Sequence, residues 1–281
     1  MTVRFQVEKS IELVADIEGN WSGPLVLLLH GGGQTRHAWG GTMHALSEAG
    51  FLVINLDLRG HGCSSWAQDG DYSIDAYAQD LRSVINLVGR PAALVGASLG
   101  GLLSLLAAGE EPRIACSALV LVDVVPQIDL DGRDRIIEFM CSHPDGFRSI
   151  EEAADAVAEY IPHRPRPTDI SGLAKNLRLG SDGRYHWHWD PALMTGRVSD
   201  EAYNPERFER AALATRVPIM LVRGRMSEIV SEAGAKAFRQ ILPGAEYVNV
   251  HEAGHMIAGD RNDVFTSAVL SFLKRKLFEN I

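Results

Sequence analysis

The chain has 281 residues, 46% of them hydrophobic and 22% charged; that is ordinary globular composition, long enough to bury a core without disulfides or metals. Lys and Arg number 27 against 36 Asp and Glu, and the net charge of -9 repels phosphate backbones and anionic lipid, so nucleic-acid and membrane roles are not expected. The three cysteines Cys63, Cys116 and Cys141 form no C-x-x-C pair and supply neither a disulfide framework nor a thiolate zinc site, and no apolar run approaches the roughly 18 residues of a membrane span.

Residues 1–9 alternate apolar and polar side chains and lack the apolar region of a secretory signal, so the expected compartment is the cytoplasm. Residues 3–18 read as two antiparallel strands. Strand-length apolar runs follow at 25–29, 51–56, 92–95, 118–122, 217–222 and 247–250. Their apolarity is continuous rather than alternating, which predicts strands covered on both faces. Helical spacing of apolar residues appears at 73–89, 99–109, 231–242 and 263–279. This alternation predicts an α/β fold with a mostly parallel central sheet flanked by helices. Residues 127–208, rich in Arg, Asp, Pro and Trp and without a convincing buried strand, read as a mainly helical cap over the carboxyl ends of the strands. The expected division is a core of 1–126 and 209–281 with a cap of 127–208.

Gly96-Ala97-Ser98-Leu99-Gly100 fits G-x-S-x-G between a strand-like and a helix-like run. In that context a sharp strand-to-helix turn projects the serine above the sheet, and small residues on either side leave room for it. Ser98 is therefore the candidate nucleophile. A serine hydroxyl needs a base, and the chain order serine, acid, histidine selects His255, after the last strand. Two carboxylates end strand-like runs between them, Asp123 and Glu228, and either could orient the imidazole. Asp123 ends the strand-like run next after the serine's, within plausible reach of the imidazole. Oxyanion donors are expected from the backbone N–H of Leu99 and from the loop His30-Gly31-Gly32-Gly33, with Gly32 favoured by position. Gly33, Trp187 and Trp189 are candidates to line a substrate pocket, with Tyr185, Phe139 and Phe147 beside them.

With His30-Gly31-Gly32 and Trp39, Asp57-Leu58-Arg59-Gly60-His61-Gly62-Cys63-Ser64, Gly96-Ala97-Ser98-Leu99-Gly100-Gly101 and Gly254-His255, the chain resembles α/β-hydrolase-fold enzymes of the esterase, lactonase and non-haem chloroperoxidase type. The resemblance covers residues 3–126 and 215–279. It implies the α/β-hydrolase fold and a serine hydrolase that cleaves small or medium carboxylic esters or lactones through a covalent acyl-enzyme. No metal or organic cofactor is implied. In that family the acid usually stands in a G-x-x-D after the strand that follows the cap, but Gly224-Arg225-Met226-Ser227 places serine there. Glu228 would fill the role by a one-residue shift, but a minority, including haloalkane dehalogenases and zearalenone lactonase, take the acid from the strand before the cap, where Asp123 stands without any shift, so the resemblance favours Asp123.

Competing readings attach to other residues. Hydrolysis of a diketone carbon–carbon bond would use the same serine and histidine, and a non-catalytic binding protein would keep the fold alone. His251-Glu252-Ala253-Gly254-His255 satisfies H-E-x-x-H literally, but the zinc motif requires a helix and this stretch follows a strand and contains glycine. His186-Trp187-His188-Trp189-Asp190 reads as apolar cap lining with polar partners rather than a metal cluster.

Overall fold

A computed structural model describes residues 1–162, 166–195, 203–257 and 262–279. The two amino-terminal strands, β1 (Thr2–Glu8) and β2 (Ile11–Gly19), pair antiparallel as expected. The apolar runs form β3 (Leu25–Leu29), β4 (Leu52–Leu56), β5 (Ala92–Ala97), β6 (Cys116–Val122), β9 (Ile219–Gly224) and β10 (Glu246–Val250). In one eight-stranded sheet the order is β1-β2-β4-β3-β5-β6-β9-β10, parallel from β4 to β10. Two strands, β7 (Leu177–Leu179) and β8 (Tyr185–Trp187), make a separate antiparallel ribbon.

The parallel strands are buried on both faces, which accounts for their unbroken apolarity. Leu25, Leu27 and Leu29 point into one core with the helices α2 (Ile74–Val88), α3 (Leu99–Gly109) and α8 (Glu232–Ile241). Val26 and Leu28 point into the other, against α1 (Gly40–Glu48) and α9 (Asn262–Leu277). Period-2 alternation of side chains thus divides each apolar run between two cores. Helix α1 has no counterpart among the predicted helices: it opens on two glycines, and only Thr42, Met43 and Leu46 are buried. Packing rather than propensity holds it.

Between β6 and β9 the chain forms α4 (Leu130–Cys141), α5 (Ile150–Tyr160), the ribbon, the short α6 (Ala192–Thr195) and α7 (Pro205–Ala214). Asp129, Ser149 and Asn204 cap α4, α5 and α7 by accepting backbone N–H bonds. The ribbon stands beside these helices in an interval read from the sequence as mainly helical and without a convincing buried strand. Tyr185 bridges to Phe147, and Trp187 buries all but 8% of its surface, so tertiary contact rather than a buried apolar run creates the strands. Parts of the interval, 163–165 and 196–202, lie outside the described residues. Among the described residues no helix is long and apolar enough to cross a membrane.

The chain passes from β3 to β4 on one side and later returns to place β5 on the other side of β3. That reversal opens a crevice beyond the carboxyl ends of β3 and β5, the usual ligand position in an open parallel sheet.

Candidate active site

Ser98 stands in that crevice, at the step from β5 into α3, with φ 46° and ψ -114°. An L residue is strained there, and its surroundings hold it in place. A Cβ on Gly96 would lie 2.3 Å from the Gly100 carbonyl oxygen, and one on Gly100 would lie 2.4 Å from that of Leu29. The glycines of the motif are thus what lets α3 start against β3 and β5. The Ser98 N–H donates to the Val122 carbonyl at 3.0 Å, tying the turn to β6.

Asp123 follows β6 in the same layer, also at positive φ, 49°. Its N–H donates to the Val222 carbonyl at 2.7 Å, so β9 supports its backbone. Its carboxylate is fully buried and accepts three hydrogen bonds: from the Gly224 N–H at 2.9 Å, the Ser227 hydroxyl at 2.5 Å and His255 Nδ1 at 2.7 Å. Ser227, in the slot where the family more often carries its acid, donates to the carboxylate from the neighbouring strand. Its oxygen also accepts the N–H groups of Ile229 and Val230 at 3.1 and 3.0 Å. Glu228 is brought elsewhere: its exposed carboxylate pairs with Arg135 on α4 at 2.5 Å.

With Nδ1 given to Asp123, Nε2 of His255 is left to face the cavity, which both His255 and Ser98 line. No hydrogen bond joins the Ser98 hydroxyl to the imidazole in this structure; catalytic contacts of this kind often tighten only when substrate is present. The His251–His255 stretch is turn and irregular chain, not helix, and His251 Nδ1 contacts Arg225 at 3.0 Å.

The loop after β3 faces Ser98, and a Cβ on Gly31 would lie 3.3 Å from that of the serine. The N–H groups of Gly32 and Leu99 border the cavity and make no hydrogen bond within the described residues. Three buried imidazoles grip the loop. His30 Nδ1 donates to the Gly31 carbonyl at 2.7 Å while its Nε2 accepts the Leu58 N–H at 3.0 Å. His61 Nε2 accepts the Gly33 N–H at 3.1 Å, and its Nδ1 donates to the Arg59 carbonyl at 2.9 Å. His188 Nδ1 accepts the Gly62 N–H at 2.8 Å, and its Nε2 donates to the Gly33 carbonyl at 3.3 Å. Burial first, then the neighbouring imidazoles and, for His30, Arg36, lowers each of the three to about 3, so all are neutral near pH 7. The Asp57–Ser64 segment is a scaffold for them: Asp57 accepts the N–H groups of Arg36 and Cys63, and Arg59 forks onto buried Asp80 at 2.5 and 2.6 Å. In the sequence His61 falls within the Asp57–Ser64 motif and His188 reads as cap lining, and nothing there marks either as a holder of the glycine loop. Their partners in the glycine loop are backbone atoms 28 and 155 residues away, which leave no pattern.

The cavity has a volume of about 560 Å³ and is lined mainly by hydrocarbon from α3, α4 and α5 and by the rings of Trp187 and Trp189, stacked 4.9 Å apart. Gly33 borders it beside Trp189 and Met140. Of the other aromatic residues expected in the pocket, Phe139 lines it, whereas Phe147 packs edge-on behind Trp187. Two arginines reach its wall, and each carries a carboxylate: Arg133 pairs with Asp134 and Arg166 with Asp155.

A family model described as alpha/beta hydrolase fold matches residues 24–261. The esterase Rv0045c of Mycobacterium tuberculosis is 30% identical over 250 residues, spanning 86% of this chain and 80% of that protein. The 2-(acetamidomethylene)succinate hydrolase of Mesorhizobium japonicum is 27% identical over 267 residues, 93% of this chain and 92% of its own. Among solved structures, E-2-(acetamidomethylene)succinate hydrolase superposes with a TM-score of 0.83 at 25% identity, covering 98% of this chain and 99% of that one.

Proposed function

The chain belongs to the α/β-hydrolase-fold family, and from that premise we propose that it is a serine hydrolase acting on a neutral carboxylic ester or lactone with an apolar body. The observation that carries the reading is the buried Asp123 carboxylate bonded to His255 Nδ1 at 2.7 Å, with Ser98 held at a strained turn on the same cavity. Ser98 Oγ attacks the carbonyl carbon and gives its proton to His255 Nε2, and Asp123 stabilises the imidazolium that forms. The Gly32 and Leu99 N–H groups receive the oxyanion. Collapse expels the alcohol, which takes the proton from His255, and water repeats the sequence on the acyl-enzyme. The described residues of the 127–208 interval act as a lid that supplies most of the apolar wall.

The hydrocarbon lining favours a neutral apolar substrate over a dianionic one, because both arginines at the wall already carry carboxylate partners. Glu228, paired with Arg135, has no part in the reaction.

The test is turnover of a panel of p-nitrophenyl esters, lactones and vinylogous diketones by the wild-type chain and by Ser98→Ala. Ester or lactone turnover should dominate and fall about 10⁴-fold or more in the variant. Equal turnover by the two proteins would overturn the serine assignment. Turnover confined to diketones would replace ester cleavage by carbon–carbon bond hydrolysis. A wild-type chain that neither turns over the panel nor reacts with a fluorophosphonate at Ser98 would be a binding protein.

A further inference from the structure

Three consecutive glycines are poor material for a preorganised site, because glycine gives up more conformational freedom on folding than any other residue. Oxyanion donors stabilise a transition state only if they are fixed beforehand. In the Gly31–Gly33 loop one imidazole is bonded to each peptide unit, beside the local bonds in which the Gln34 N–H donates to the Gly31 carbonyl at 3.2 Å and the Gln34 side-chain oxygen accepts the Gly31 N–H at 3.1 Å. His30 holds the unit between Gly31 and Gly32 through the Gly31 carbonyl, and His61 holds the next through the Gly33 N–H. His188 holds the third through the Gly33 carbonyl. In a trans peptide the carbonyl and the N–H point in opposite directions. The bond from His30 to the Gly31 carbonyl therefore turns the Gly32 N–H away from the ring.

His30 and His61 belong to the sheet's own loops. His188 does not: it arrives from the segment after β8, within the interval inserted between β6 and β9. Its two nitrogens bridge the Gly62 N–H and the Gly33 carbonyl, so one side chain clamps the loops after β3 and β4 together. The same segment is locked to the core two residues beyond the ring, at Asp190. The Asp190 N–H donates to the Gly60 carbonyl at 2.9 Å, and the Tyr72 hydroxyl donates to the Asp190 carboxylate at 2.5 Å.

We propose that His188 is a positioning residue for the oxyanion loop, so that the inserted interval completes the oxyanion hole as well as covering the substrate. The inference rests on the acyl-transfer reading above. Its chemistry is a division of labour within one ring, with Nδ1 as acceptor and Nε2–H as donor, and a neutral imidazole is required for both bonds to exist together.

Two substitutions separate the halves. His188→Gln carries an N–H far enough along the side chain to reach the Gly33 carbonyl. His188→Asn places an acceptor where Nδ1 was, toward the Gly62 N–H, but reaches no further. With p-nitrophenyl butyrate, kcat should fall about ten- to a hundredfold in His188→Asn, below the effect of deleting an oxyanion donor outright. His188→Gln should retain kcat within about threefold, and KM should stay near wild type in both. Equal losses in the two variants, or a loss carried by KM, would overturn the proposal and leave His188 as an anchor for the insertion. Should neither variant fold, ¹⁵N spectra of the wild-type imidazoles decide it: His188 must be the Nε2–H tautomer at pH 7, with His30 and His61 the Nδ1–H tautomers. The opposite tautomer at His188 would overturn it. A wild-type chain with neither ester nor lactone turnover refutes the acyl-transfer reading, and this inference with it; wild-type turnover with unsplit variants refutes the role of His188 alone.

Discussion

Removing the Ser227 hydroxyl should weaken catalysis without touching any atom that meets the substrate. The Asp123 carboxylate accepts three hydrogen bonds, and Ser227 supplies one of them to the same oxygen, Oδ2, that receives His255. A hydrogen bond to a buried charged group contributes about 1.5–3 kcal/mol, and its loss also leaves the Ile229 and Val230 N–H groups without their acceptor. Ser227→Ala should therefore destabilise the chain by about 2 kcal/mol in urea unfolding. If about half of that is felt in orienting the imidazole, kcat falls roughly fivefold with KM nearly constant, since each 1.4 kcal/mol is a factor of ten. Asp123→Asn should cost far more, on the order of 10⁴-fold, as when a triad carboxylate becomes an amide and the histidine takes the wrong tautomer. The decisive assay is the double-mutant cycle in ester turnover. With Asp123 already an amide, Ser227→Ala should add less than about threefold, because the charged acceptor it served is gone. A full fivefold effect in the Asp123→Asn background would refute the coupling. A kcat for Glu228→Gln lower than that for Asp123→Asn would refute the assignment of the acid itself.

Acid should destabilise the fold through the three buried histidines. Their folded values lie near 3 against a reference of 6.5, so the unfolded chain binds more protons below pH 6.5. Their contribution is fully present above pH 6.5 and is lost as pH falls from there toward 3, at ~1.4 kcal/mol per pH unit for each ring, or ~4 for all three. With a total stability of about 5–15 kcal/mol, cooperative unfolding is expected above pH 3; a urea midpoint at pH 4.5 equal to that at pH 7 would contradict this. At the nucleophile turn, Gly100→Ala should destabilise by about 3 kcal/mol, since its Cβ would press on the carbonyl oxygens of Leu29 and His30 at 2.4 and 2.8 Å. Gly40→Ala, with nothing within 4 Å of the added methyl, should instead stabilise α1 by about 0.5 kcal/mol, and thermal unfolding of the pair compares them directly.

Most of the sheet was legible in the sequence, because a strand buried on both faces must be apolar at every position, and such runs stand out without knowledge of neighbours. The serine turn was legible for a similar reason. A Cβ on Gly96, Gly100 or Gly101 would collide with backbone or with Val124, so the close approach of α3 to β3 and β5 is written into the residue types. Helix α1 and the β7–β8 ribbon were not legible, since neither has a periodic apolar pattern and both are held by contacts made after the sheet forms. The choice between two carboxylates also lay beyond the sequence, where Asp123 and Glu228 both follow strand-like runs between Ser98 and His255. Parallel register places Val122 beside Val222 and so sets Asp123 next to Gly224 and Ser227, under the imidazole, while the turn after β9 swings Glu228 out to Arg135. The histidine clamp on the glycine loop is likewise a product of tertiary structure alone. His30, His61 and His188 are far apart along the chain and bond to backbone atoms, and any residue type can offer a backbone N–H or carbonyl, so only the folded path of the chain determines which ones these rings meet.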